Sequence, residues 1–387
     1  MKMRKPCKGR LSNVVLKNAK YWNGKSFELR DEVRLNACEG SETTEFDCNG
    51  ALVMPALFGL GLDFMEPLRD DVYTFADGFE AMRKGGFYGG LYESAANPID
   101  DADKFTAMVN RFKTEELGGK GFEIKFLGAY SKGFGTDSLA EMVELAEAGV
   151  AGFGDGSSAI PHSRFLRLAM EYGKMTGKRF FFQPMDKTLR HSGCVHEGAY
   201  SDMLGMKGIP RIAETIAAYT ILETARFLQV PVHFKQVTCG ETLDSAYHIL
   251  PPIRSAADRE ALWQGVIDGT IDAISVNHTP VLRQDTVVNF EDSVPGALSL
   301  EVALPAIWNK LVERVGEQRA VELLSSVPAR LAGAAPAKDN VVVLSPDRPH
   351  MVVESDFAGH VCNSPFTGKE LPSSILATYI NNVWTEL

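Results

Sequence analysis

The chain has 387 residues, 45% hydrophobic and 23% charged, which excludes a wholly disordered or fibrous protein and suits one large domain with a satellite. Its 40 basic and 50 acidic residues leave a net charge of −10, which argues against nucleic acid or a membrane surface as the primary partner. The six cysteines (Cys7, Cys38, Cys48, Cys194, Cys239 and Cys362) form no C-x-x-C pair, so neither a disulfide framework nor a zinc knuckle is expected. Residues 1–10 are basic but lead into no apolar signal core, and no apolar run nears the ~20 residues of a membrane span. A cytoplasmic location is the expectation.

In chain order, residues 14–19 and 27–35 read as strands around an Asn23-Gly24 turn. The segments 341–345, 351–354 and 377–383 are also strand-like, so a small β module is expected from both termini. Between them strand-like and helical runs alternate. The strands are 52–54, 89–92, 123–127, 150–153, 179–182, 230–234 and 271–276. The helices are 72–83, 101–113, 139–148, 163–174, 209–227, 241–247, 257–268 and 298–315. About eight strand–helix units fit a (β/α)₈ TIM-like barrel of ~250 residues. The rival, a doubly wound sheet, would show G-x-G-x-x-G, which Gly85-Gly-Phe-Tyr-Gly-Gly does not match in register. The expected domains are therefore 1–52 plus 336–387 as a β-sandwich module, and 53–335 as the barrel.

Several ordered blocks carry a resemblance. They include Val53-Met-Pro-Ala-Leu-Phe-Gly-Leu-Gly-Leu-Asp-Phe-Met-Glu-Pro, Arg83-Lys-Gly-Gly-Phe, Asn97-Pro-Ile-Asp-Asp and Gly152-Phe-Gly-Asp-Gly. Further on come Glu197-Gly-Ala-Tyr-Ser, Leu204-Gly-Met-Lys-Gly-Ile-Pro-Arg, Pro251-Pro-Ile-Arg-Ser and Asn363-Ser-Pro-Phe-Thr-Gly-Lys. Together they resemble the dihydroorotases of the amidohydrolase superfamily over nearly the whole chain. The resemblance implies reversible hydrolysis of a cyclic amide by a metal-activated water. It also implies ligands at the C-terminal ends of the barrel strands: an H-x-H pair, a bridging carboxylate, two later histidines and an aspartate.

At those positions this sequence holds Gly61 and Asp63 for H-x-H, Asp155 for the bridging acid, Gln183 and Gln236 for the histidines, and Asn277 for the aspartate. The substrate-side arginine and asparagine are Met65 and Ala95. Neutral amides are weak zinc ligands, an asparagine cannot serve as general base, and methionine cannot clamp a carboxylate. His233 and His278 read as core or loop histidines, and His191, Cys194 and His196 lack a fourth ligand nearby.

The expectation is therefore an inactive dihydroorotase homologue without a cofactor, a structural subunit for the aspartate carbamoyltransferase catalytic chain and itself a homo-oligomer. Two alternatives stand beside it. One is an active hydrolase with a zinc centre rearranged around Asp63, Asp155 and His233. The other is a metal-free sensor of a pyrimidine precursor.

Overall fold

The computed structural model describes residues 13–35, 43–94, 97–115, 121–156, 160, 162–236, 251–252, 254–288, 290–361 and 363–387. Ala95, the N-terminal segment 1–10 and the expected helix at 241–247 lie outside the described residues. So do Cys7, Cys38, Cys239 and Cys362, while Cys48 and Cys194 are free and buried.

Strands from both ends of the chain share one seven-stranded sheet. From the N-terminal side come β1 (Asn13–Trp22), β2 (Phe27–Leu35), β3 (Thr43–Asp47) and β4 (Leu52–Pro55). β1 and β2 are antiparallel with Trp22 opposite Phe27, and the Asn23 side chain fixes their turn by accepting from Lys25 N and Ser26 N. β4 runs beside β1 and antiparallel to a C-terminal strand over Val341–Ser345. Residues 52–54, expected to open the barrel, thus belong to this sheet. Alternation explains the assignment: Val53 faces the small core with Val343 and Tyr379, whereas Leu52 and Met54 face the main core.

The barrel begins one residue later with β5 (Leu57–Leu62). The next strands are β6 (Phe87–Tyr92), β7 (Glu123–Gly128), β8 (Gly152–Phe153) and β9 (Arg179–Phe182). Two short strands, β10 (Val195–His196) and β11 (Gly208–Ile209), pair within the long loop that follows. With β12 (Val232–Phe234), the barrel strands form one parallel sheet in the order β12-β9-β8-β7-β6-β5. The chain end adds β13 (Val341–Ser345), β14 (His350–Met351), β15 (Glu370–Leu371), β16 (Ser374–Ile380) and β17 (Val383–Glu386).

The barrel's strands alternate with helices, which is why the strands are parallel. These are α1 (Phe75–Gly85), α2 (Ala102–Glu115), α3 (Met142–Ala148) and α4 (Ser163–Gly173). Short α5 (Lys187–Arg190) and α6 (Ala199–Leu204) precede α7 (Ile212–Leu228). Then come α8 (Ala256–Asp268), α9 (Arg283–Thr286), α10 (Leu300–Val321) and α11 (Val327–Leu331). α1 starts where Thr74 and Asp77 cap each other's backbone, and ends at left-handed Gly86. Among the described residues no helix is long and apolar enough to cross a membrane.

The expected strand at 271–276 makes single bonds rather than a ladder. Val276 N donates to Leu60 O, and one parallel bridge joins Leu62 to His278. Asn277 leaves the extended region at φ 46°, which ends the pairing.

Candidate active site at the barrel mouth

The C-terminal ends of β5, β8, β9 and β12 carry Gly61, Asp63, Asp155, Gln183 and Gln236, residues singled out in the sequence. Gly61 sits near the end of β5 at φ +77°, and a β-carbon there would lie 2.5 Å from Asn277 Oδ1. The Asn277 amide therefore fills the space that a side chain at 61 would need. Asp63 is buried and its Oδ1 accepts from Met65 N at 2.9 Å. Its charge also helps hold the fully buried Tyr92 phenol protonated, after burial itself. Met65, at φ 63°, packs against the core.

Asp155 follows β8 and is 5% exposed. Its Oδ1 accepts from Tyr130 N (2.8 Å) and Ser131 N (3.3 Å), and its Oδ2 accepts from Ser131 Oγ at 2.5 Å. Burial raises its pKa to about 7 against the opposing pull of those bonds and of Lys235. It is thus the barrel-mouth carboxyl placed to exchange a proton near neutral pH.

On β12, His233 lies beside Phe181 with ring centroids 5.3 Å apart, and burial pushes its pKa down to about 4. Two residues on, Lys235 continues the register by donating its backbone N–H to Phe182 O. Its ammonium is bound by Glu93, at the end of β6, and by Gly156 O at 2.6 Å. Both partners of that ion pair are 9% exposed at the side chain. Lys235, Glu93 and Ser131 were missed in the sequence. Strand alternation through 231–236 could have found Lys235, since a charge at a barrel-facing position needs a partner.

Gln183 Oε1, Gln236 Oε1 and Asn277 Oδ1 are buried without a hydrogen-bond partner among the described residues. His278 is fully buried. Its Nδ1 accepts from Ser299 N and Leu300 N, so it holds the start of α10. His191, Cys194 and His196 turn to three different partners: Ser192, Lys207 O and Arg254.

Among the described residues no three His, Cys, Asp or Glu side chains converge as a metal cradle, so Asp63, Asp155 and His233 are not brought together as one. The donors at the mouth are amide oxygens and three buried carboxyls, each already bound: Asp63 to Met65 N, Glu93 to the Lys235 ammonium and Asp155 to Ser131. That set does not fit a zinc ion, which favours imidazole, thiolate and free carboxylate.

No family model matches the chain. It is 30% identical over 387 residues to a dihydroorotase of Geobacter sp. (strain M21), covering 89% of each chain. A dihydroorotase of Desulforapulum autotrophicum is 29% identical over 376 residues, covering 86% of this chain and 87% of the relative. Among solved structures, the L-hydantoinase (dihydropyrimidinase) of Arthrobacter aurescens matches with a TM-score of 0.74 at 17% identity, covering 96% of both chains. A D-hydantoinase from Thermus sp. gives 0.73 at 15% identity. These structures establish the barrel fold.

The sequence relatives overturn the expectation of a non-catalytic subunit. They align with almost the whole chain and are named for an enzyme, which an inactive structural subunit does not account for. The expectation of no cofactor falls with it, because by the resemblance that reaction runs on a metal-bound water.

Proposed function

We propose, from the premise that the chain belongs to the dihydroorotase family, that it opens and closes a cyclic amide or ureide ring with a rearranged set of barrel-mouth groups. The observation that carries this reading is the alignment, at 30% identity across 89% of the chain, with an enzyme of that name. Attack of water on a ring carbonyl requires a base for the water and an acid for the leaving nitrogen. Asp155 suits both roles, since a carboxyl with a pKa near 7 is half protonated at neutral pH. Ser131 and two backbone N–H groups fix its orientation. Lys235, pinned by Glu93 and Gly156 O, sets a fixed positive charge close to it.

The test is turnover of dihydroorotate and of carbamoyl aspartate by the full chain, purified without chelators. The expected result is interconversion that falls by about 10²–10⁴ in Asp155→Asn. Turnover in neither direction overturns the reading.

We also propose, on the resemblance, that the chain assembles with itself and with the catalytic subunit of aspartate carbamoyltransferase. Support comes from α7, where Ile212, Ile216 and Tyr219 stand exposed at helical spacing, and from exposed Tyr200 and Met203 on α6. Co-elution in fixed ratio from the native cell is expected, and its absence refutes this proposal alone.

A further inference from the structure

The three unpartnered amide oxygens lie at the same end of the barrel. Gln183 and Gln236 close the neighbouring strands β9 and β12, and Asn277 leans over the end of β5. Buried acceptors are normally satisfied, so three at one end of the barrel without a donor among the described residues need an explanation. Two of them also sit on left-handed backbone, Gln236 at φ 58° and Asn277 at φ 46°, although neither is glycine. Strain of that kind persists where the surroundings over-determine it, and it clusters at ligand sites. Gly61 completes the arrangement, because any β-carbon there would collide with Asn277 Oδ1.

We propose that Gln183, Gln236 and Asn277 form an acceptor cradle that binds the N–H edge of a cyclic ureide. An amide oxygen is a neutral acceptor, and what satisfies it is a hydrogen-bond donor. A ring of the form N–H–CO–N–H presents two donors around one carbonyl, which suits oxygens contributed by separate strands. The strand ends that carry metal ligands in the resembled family would thus read the substrate's nitrogens directly. This inference rests on the cyclic-amide reading of the site, and the experiment separates the two.

The probe is dihydrouracil, titrated calorimetrically into the full chain, with N,N′-dimethyl-dihydrouracil as its donor-free counterpart. The expected result is dihydrouracil binding at least about tenfold tighter than the dimethyl ring. Gln183→Met and Gln236→Met should each weaken dihydrouracil by about tenfold and leave the dimethyl ring unmoved. Their melting temperatures should hold or rise, since each removes an unsatisfied buried acceptor, and this shows that they fold. Equal affinity for the two rings, or Met variants that bind dihydrouracil like the wild type, overturns the cradle. So does a stoichiometric divalent cation lost on mutating these amides. Selective binding without dihydroorotate turnover removes the hydrolase reading only, whereas turnover with unaltered Met variants removes the cradle only.

Discussion

Lys235→Met is the most informative single perturbation. The ammonium and the Glu93 carboxylate are each 9% exposed at the side chain and bind each other across the barrel mouth. Removing one partner of a buried pair leaves the other as an uncompensated charge, which costs roughly 3–5 kcal/mol. For 387 residues at about 2.1 cal/mol/K each, the unfolding entropy is about 0.8 kcal/mol/K, so the melting temperature should fall by about 4–6 °C. Glu93→Gln should be milder, because Lys235 keeps the Gly156 carbonyl and gains a neutral acceptor. The double variant should recover much of the loss, with a coupling energy of about 2 kcal/mol or more. Urea titrations of the four proteins supply the cycle. Single-variant losses under about 1 kcal/mol, or simple additivity, would show that the pair is solvated and that the ammonium is no fixed charge of the site.

Three further outcomes follow from the same geometry. Asp155 is protonated in the fold up to about pH 7 but in the unfolded chain only to about 3.8, so it makes stability fall as pH rises through that window. Asp155→Asn should flatten that slope in a pH series of urea midpoints, and an unchanged slope would assign it elsewhere. His278 behaves oppositely: its folded pKa is down to about 3 from 6.5, so its contribution is intact above 6.5 and lost as pH falls toward 3. His278→Gln should reduce acid sensitivity over that range in the same assay. Gly61→Ala should cost about 2 kcal/mol, combining a left-handed backbone with the contact to Asn277 Oδ1, and Asn277→Ala in the same chain should relieve the second part alone.

The architecture was legible because its signals are local. The Asn23-Gly24 turn and the alternation of strand and helix each need only neighbouring residues. Residues 52–54 were misplaced because a four-residue strand feeding two cores looks the same whichever sheet it joins. At the site, the changed strand-end positions could be read one by one. What they do together could not. Glu93 and Lys235 are 142 residues apart, and Asp155 owes its raised pKa to burial that only the closed barrel produces.

That difference bears on how a site of this kind changes its chemistry. A histidine restored at 61 would meet the Asn277 amide, and a carboxylate restored at 277 would stand in the same space over Gly61. Position 61 therefore cannot revert without moving the side chain at 277, whereas 277 can take the isosteric carboxylate with Gly61 in place. Around β8 a β-carbon at Gly154 would lie 2.9 Å from the Phe181 carbonyl and 3.0 Å from Glu93 Oε1, the oxygen that holds Lys235. The glycine at 61 and the amide at 277 are therefore sterically linked, while Gly154 is held by the Phe181 carbonyl as well as by Glu93. Gly61→His should accordingly cost less stability in an Asn277→Ala background than in the wild type, and a merely additive sum would show the two positions to be unlinked.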